Sequence, residues 1–288
     1  MDVSPPTNAA AGLDAGPAAA EALTRRYGPD AMPAAGPWNE HISLLLNHRS
    51  VRGYRPDALP ANTLETLIAA AQSAATSSNL QTWSVIAVTD PAKKAALAKL
   101  AANQRHIEQC PLFLVWVADI SRNQRLGRQE GVTLEVMPYQ ETFLVAAIDA
   151  ALAAQNATIA AESLGLSCVY IGALRNQPLE VAKVVNLPPG AFGVFGMCVG
   201  YPTEVAFGEV KPRLPQTVIV HRDTYQVPED EAQRRSAYDA LIGGFSVRND
   251  MPTDTWTKRV INRMGTLAAL SGRDKQVPTL KAMGFELK

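Results

Sequence analysis

The sequence predicts a globular α/β-type fold, from three observations: apolar strand-like runs alternate with helical stripes, an all-apolar run reads as a central strand, and one helical stretch exceeds twenty residues. The chain has 288 residues, 47% hydrophobic and 19% charged, which is enough to bury a core without disulfide or metal staples. Lys plus Arg (27) balance Asp plus Glu (27), so no global field draws the chain to nucleic acid or an anionic membrane. Any anion site has to be local.

Residues 1–37 are rich in Ala, Pro and Gly, and Pro5, Pro6, Pro17, Pro29, Pro33 and Pro37 confine helix to about Ala18–Tyr27. This stretch reads as an N-terminal arm that wraps a surface or frays, leaving 38–288 as the main domain. Ile42, Leu45 and Leu46 recur at helical spacing before His48. Leu64, Leu67, Ile68 and Ala71 mark the next helix, which runs out in the polar cluster Thr76-Ser-Ser-Asn79. Trp83–Thr89 is β-rich, Pro91–Ala102 is helical, and Pro111–Ala118 is the continuous apolar run of a central strand.

Tyr139–Leu164 is the longest helical signal, stopped by Gly165 and apolar on nearly every side, which predicts burial all round or a contact with a second subunit. Strands are predicted at Cys168–Ile171 and Val194–Gly200 around a helix at Leu179–Val185. The last third reads as a short strand at Thr217–Val220, then helices at Glu231–Ile242, Trp256–Arg263 and Arg273–Met283. No run of about 18 uninterrupted apolar residues predicts a membrane span, and the N-terminus lacks the pattern of a secretory signal. Cys110, Cys168 and Cys198 are odd in number and each has apolar neighbours, which fits reduced core residues in a cytoplasmic protein. No Cys/His spacing suits a metal.

Two motifs carry chemistry. His48-Arg49-Ser50-Val51-Arg52 gathers two guanidiniums, an imidazole and a hydroxyl at a helix end; the guanidinium fork matches phosphate, although a solvated helix terminus explains the same residues. Lys211-Pro212-Arg213 sends two cations to one side of an extended segment. The glycines of Gly190–Gly200 and Tyr170–Arg175 match neither a dinucleotide fingerprint nor a P-loop, and no nucleophilic triad is recognisable. From the residues alone, the reading ends at a phosphate-like ligand held by two basic motifs.

In order along the chain, His48-Arg-Ser-Val-Arg52, Thr76-Ser-Ser-Asn-Leu-Gln81, Gln104, Ala161-Glu-Ser-Leu-Gly-Leu-Ser-Cys-Val-Tyr-Ile-Gly172 and Lys211-Pro-Arg-Leu-Pro215 resemble the FMN-dependent nitroreductases, in particular their NADPH-linked branch, from about Trp38 onward. The resemblance implies an α+β fold, with a mainly antiparallel central sheet flanked by helices, in an intertwined homodimer whose long helices pack across the two-fold axis. It implies that His48, Arg49, Ser50 and Arg52, joined by Lys211 and Arg213, hold the flavin phosphate and ribityl chain. Thr76, Ser77, Ser78 and Gln81 would surround the flavin, Gln104 would meet its polar edge, and Tyr170, Ile171, Gly172 and Ala173 would run along the isoalloxazine. No side-chain catalyst is nominated, because the flavin carries the redox chemistry.

The implied function is passage of electrons from NADPH, or NADH, to nitroaromatic, quinone or flavin-type acceptors in a ping-pong cycle; the alternative is a non-catalytic flavin-binding or storage protein. Two positions depart from the family pattern. Ala173 replaces a second glycine and is strained if its φ is positive. Pro252 and Thr253 stand where relatives carry arginines before Asp254-Thr-Trp256, which leaves Arg248 as the expected contact for the NADPH 2′-phosphate, with Arg259 as a second cation.

Overall fold

The computed structural model describes residues 16–252 and 255–288. The first fifteen residues of the arm, with Pro5 and Pro6, lie outside the described residues, as do Thr253 and Asp254 of the donor motif. In chain order the elements are α1 (Pro17–Tyr27), α2 (Glu40–Leu46), α3 (Thr63–Gln72), β1 (Trp83–Val88), α4 (Pro91–Leu100), α5 (His106–Gln109), β2 (Leu112–Asp119), α6 (Ser121–Gln129) and α7 (Gln140–Ser163). They continue with β3 (Ser167–Ile171), α8 (Pro178–Val185), β4 (Ala191–Gly200), α9 (Gln216–Ile219), α10 (Glu231–Arg248), α11 (Trp256–Met264) and α12 (Gln276–Ala282).

The chain forms two compact units, one of residues 1–49 and 208–265, the other of residues 50–207 and 266–288. The second unit holds the sheet, in the order β1-β2-β4-β3 and antiparallel at every pairing. The fold is α+β. Alternation of strands and helices along the chain left parallel pairing open, and the backbone ladders exclude it. β2 is buried along its whole length between β1 and β4, as its unbroken apolar run requires.

The glycines of β4 serve packing. A Cβ on Gly196 would run into the Phe113 ring of β2, and one on Gly200 would press on Pro111 and Tyr54. Helices cover both faces of the sheet. One face packs Val115, Val117 and Ile171 with Leu97, Ile107 and Val181; the other packs Leu114, Trp116 and Met197 against Leu67 of α3 and the alanines of α7. All three cysteines are reduced and buried.

α7 is apolar and long enough by composition to cross a bilayer, a property that the core helix of a globular protein shares equally, although it contains no run of 18 uninterrupted apolar residues. Of the two surroundings expected for it, its own chain supplies burial on one side only. Ala146, Ala150, Ala153, Ala154, Ala157 and Ala161 lie inside, while Leu144, Ile148 and Leu152 remain 44–48% exposed along the opposite stripe. Small residues let the helix approach the sheet closely, and its larger residues are left facing outward.

The first unit has a core of its own, in which Tyr238, Ile242 and Phe245 of α10 are packed by Leu214, Leu241, Met251 and Trp256. α10 runs through Gly243 and Gly244 to Arg248, six residues past the predicted end, because Phe245 continues the buried stripe. The strand predicted at Thr217–Val220 is the helical turn α9, where Pro215 caps the turn and Val220 N–H closes on the Gln216 carbonyl at 2.7 Å. Its β-branched residues satisfied strand propensity without a neighbouring strand to pair with. The helix predicted from Arg273 begins as a 3₁₀ turn and becomes α-helical only at Gln276.

Candidate functional site

In the first unit the head of the first basic motif, His48-Arg49, and the second motif are fastened side by side by a residue of α1. Arg26, only 6% exposed, donates from Nη1 to the Lys211 carbonyl at 2.7 Å and from Nη2 to the carbonyls of Leu46 at 2.5 Å and His48 at 3.2 Å. Its own carbonyl accepts from Arg213 N–H at 2.9 Å. A second clasp comes from Arg49, whose Nε donates to the Gly208 carbonyl at 2.8 Å while Nη1 reaches both oxygens of Asn47. His48 and Arg49 are thereby held beside the segment that carries Lys211 and Arg213.

A buried guanidinium that satisfies three carbonyls fixes backbone geometry, and it holds the His48-Arg49 and Lys211–Arg213 segments beside one another in a chain of zero net charge. The Lys211 ammonium lies 5.7 Å from the Phe245 ring centre. The donor set and its rigidity suit a phosphate monoester. Sequence reasoning missed Arg26 because it sits in an alanine-rich helix with a thin apolar face; its only signal was a charged residue in line with Ala19, Ala22 and Leu23 on the side that becomes buried.

Arg248 stands at the end of α10, fully engaged with Glu209. Its Nε and Nη2 contact the carboxylate at 3.0–3.2 Å, and hydrogen bonding from Arg248 holds the Glu209 carboxyl below its ordinary range. Arg248 therefore meets a competitor for any incoming phosphate.

In the second unit Ser50 bridges Cys168 of β3, Val51 N–H donates to the Cys168 carbonyl at 3.1 Å, and Arg52 is exposed. The Thr76–Gln81 loop is backbone-strained: Ser78, Asn79 and Gln81 have φ of 47°, 56° and 51°. Each left-handed non-glycine residue costs on the order of 1 kcal/mol, so the loop needs an external anchor. The anchor is Asp149 of α7, 2% exposed, whose Oδ2 accepts from Thr76 Oγ1 (2.6 Å), Thr82 Oγ1 (3.0 Å) and Thr82 N–H (3.2 Å), while Oδ1 accepts from Ser77 N–H (3.2 Å). Charge-assisted bonds contribute roughly 1.5–3 kcal/mol each, enough to offset the strain. Nothing in the local sequence pairs Asp149 with residues some seventy positions earlier, so only the fold reveals it.

Tyr170 packs edge-on against Phe195, with ring centres 5.1 Å apart, and its hydroxyl shares a 2.9 Å hydrogen bond with Thr158. Burial pushes its phenol up to about 12 despite that bond. Ile171 is buried at the end of β3, and Gly172 and Ala173 open a 3₁₀ turn. Ala173 is not among the positive-φ residues, so the strain anticipated there is absent. Gln104 is half-buried and accepts from Ile107 N–H through its carbonyl at 3.0 Å. The structure thus gathers His48, Arg49, Lys211 and Arg213 in one unit, with Arg248 paired to Glu209 there. Ser50, Arg52, Thr76, Ser77, Ser78, Gln81, Gln104 and Tyr170–Ala173 belong to the other.

An antiparallel α+β sheet flanked by helices, with a rigid basic cluster and a strained polar loop, defines a fold class that the comparisons make specific. Residues 45–201 match the Nitroreductase family and residues 211–288 match the Nitroreductase family, C-terminal domain. The chain is 40% identical over 230 residues to the FMN reductase (NADPH) of Bacillus subtilis, covering 78% of this chain and 92% of that one. It is 35% identical over 221 residues to the oxygen-insensitive NADPH nitroreductase of Salmonella typhimurium, covering 76% and 88%. Among solved structures, the NfrA1 nitroreductase from B. subtilis superposes with a TM-score of 0.79 at 38% identity, over 86% of this chain and 99% of that one. The NADPH:FMN oxidoreductase from Vibrio harveyi, solved with NAD+, superposes with a TM-score of 0.76 at 33% identity, over 87% and 100%. The protein belongs to the nitroreductase family.

Proposed function

We propose that this protein is an FMN-dependent oxidoreductase that takes electrons from NADPH and passes them to nitroaromatic, quinone or flavin-type acceptors in a ping-pong cycle. The observation that carries this reading is the Arg26-fastened pairing of His48-Arg49 with Lys211-Arg213, which supplies a rigid phosphate receptor in a chain whose relatives are named for NADPH-linked flavin and nitro reduction. FMN, when bound, supplies the hydride acceptor and the onward electron donor.

The residues of this chain bind and orient it. His48, Arg49, Lys211 and Arg213 take the phosphate, and Ser50 and Arg52 the ribityl end. Thr76, Ser77, Ser78, Gln81 and Gln104 present polar groups to the ring edge, while Tyr170, Ile171, Gly172 and Ala173 line its flat face. Tyr170 is a neutral phenol at physiological pH, as an ordinary tyrosine is, and burial, which raises its pKa to about 12, widens that margin. Arg248 receives the NADPH 2′-phosphate after leaving Glu209. The outward stripe Leu144, Ile148 and Leu152 supports a homodimer built across α7, and three buried thiols support residence in a reducing cytoplasm.

The deciding experiment is anaerobic. Purified protein loaded with FMN should bleach on addition of NADPH and recover its absorbance when a nitroaromatic or quinone is added. Flavin that stays oxidised with NADPH and NADH alike would instead assign a storage role, and a preparation that takes up no FMN would overturn the cofactor reading.

A further inference from the structure

We propose that Asp149 is a positioning residue for the flavin: from the buried face of α7 it sets the conformation of the Thr76–Gln81 loop and so determines how tightly and in what pose FMN is held. The inference rests on the reading that this loop lines the cofactor. Four donors converge on the two oxygens of one carboxylate, and they come from both ends of the loop, Thr76 and Ser77 at its start and Thr82 just past its end. The control continues one step outward, because the same Thr76 hydroxyl oxygen that donates to Asp149 accepts from Gln81 N–H at 3.0 Å and closes the loop on itself.

Between those tethers lie the three left-handed residues Ser78, Asn79 and Gln81, a conformation the loop does not hold without the anchor. The far side is fixed separately: Arg122 donates to the Gln81 carbonyl at 2.9 Å and to Ser84 Oγ at 3.1 Å, and Ser84 donates to Asp119 at 2.5 Å. Loss of Asp149 therefore frees the polar residues at the head of the loop while its outgoing strand stays in place. A carboxylate suits this role where an amide does not. Donors meet both oxygens, so either orientation of an asparagine sets its NH₂ against an N–H or O–H.

The test uses full-length apoprotein titrated with FMN by fluorescence quenching, alongside thermal melts and the visible circular dichroism of the bound flavin. Asp149→Asn is expected to raise the FMN Kd about tenfold or more and to change the flavin dichroism at saturation. Thr82→Val removes one donor from outside the loop and is expected to weaken FMN severalfold with a wild-type fold, which keeps the test decisive if Asp149→Asn does not fold. Lowered melting temperatures with wild-type FMN affinity and dichroism would reduce Asp149 to a structural residue and overturn the proposal. Wild-type apoprotein that binds no FMN would overturn the cofactor reading itself, a failure distinct from one confined to Asp149→Asn.

Discussion

Arg26→Ala is the sharpest perturbation of the basic cluster, because the side chain lies outside both sequence motifs yet governs them. Its guanidinium makes hydrogen bonds of 2.5, 2.7 and 3.2 Å to three main-chain carbonyls, and its burial means that truncation strands those carbonyls with little water to replace the donor. Three charge-assisted bonds at roughly 1.5–3 kcal/mol give a gross loss of about 4–9 kcal/mol. Water entry and relaxation of the 46–48 segment recover part of it, so a net destabilisation of about 3 kcal/mol is expected, in the range for removing one partner of a buried polar network. Urea unfolding followed by far-ultraviolet circular dichroism measures it, and an FMN titration of the same variant measures the accompanying loss of affinity. Arg26→Lys should recover only a fraction of both, since one ammonium lacks the planar fork that reaches carbonyls on two separate segments. Unfolding free energy within about 0.5 kcal/mol of wild type, with unchanged FMN affinity, would refute the claim that Arg26 organises the cluster.

Arg49→Ala and Arg213→Ala should each lose FMN during purification, and full occupancy in either variant would remove that residue from the phosphate site. Arg248→Ala should raise KM for NADPH and leave KM for NADH nearly unchanged, while Glu209→Gln, which releases Arg248 from an exposed ion pair, should lower KM for NADPH by up to about fivefold; steady-state kinetics with both donors check the two together. Burial, with a smaller push from Arg52, holds His106 below its ordinary pKa of 6.5, so the unfolded chain binds the proton more readily. Stability is therefore retained above that value and falls as pH drops through it, and His106→Gln should flatten the slope seen in denaturation at a series of pH values. Ile148→Arg should yield folded monomer in sedimentation, since the residue is 48% exposed on the isolated subunit, and an undiminished dimer would move the interface off α7.

The fold was most legible where side-chain periodicity and burial coincide. β2 reads directly from Leu112–Ala118 because both of its faces are covered, and α3 reads from Leu67 and Ala71 because one face is. Legibility failed where context overrides pattern. Thr217–Val220 has the composition of a strand, but Pro215 starts a helical turn; α6, a polar helix with only Ser121 and Gly127 buried, carries no apolar stripe to detect. Strand direction was equally hidden, because a helix between two strands fits an antiparallel return as readily as a parallel crossover.

The site divides along the same line. Chemically specialised residues such as Arg49, Lys211 and Arg213 announce themselves because two short basic motifs stand out in a chain of zero net charge. The residues that hold the site in shape carry no such mark. Arg26 lies in an alanine-rich helix and Asp149 in a helix of nearly unbroken apolar residues, and each is informative only through burial: a charge in those surroundings must satisfy every donor or acceptor it meets. Both meet main-chain groups of segments distant in sequence, Arg26 three carbonyls and Asp149 two N–H groups with two hydroxyls. Opposite charges thus solve the same problem at two places, fixing an irregular segment that secondary structure does not hold. Substitutions at these two positions should accordingly act on flavin affinity through the backbone, which is why their effects should exceed those of removing a single exposed hydroxyl in the Thr76–Gln81 loop.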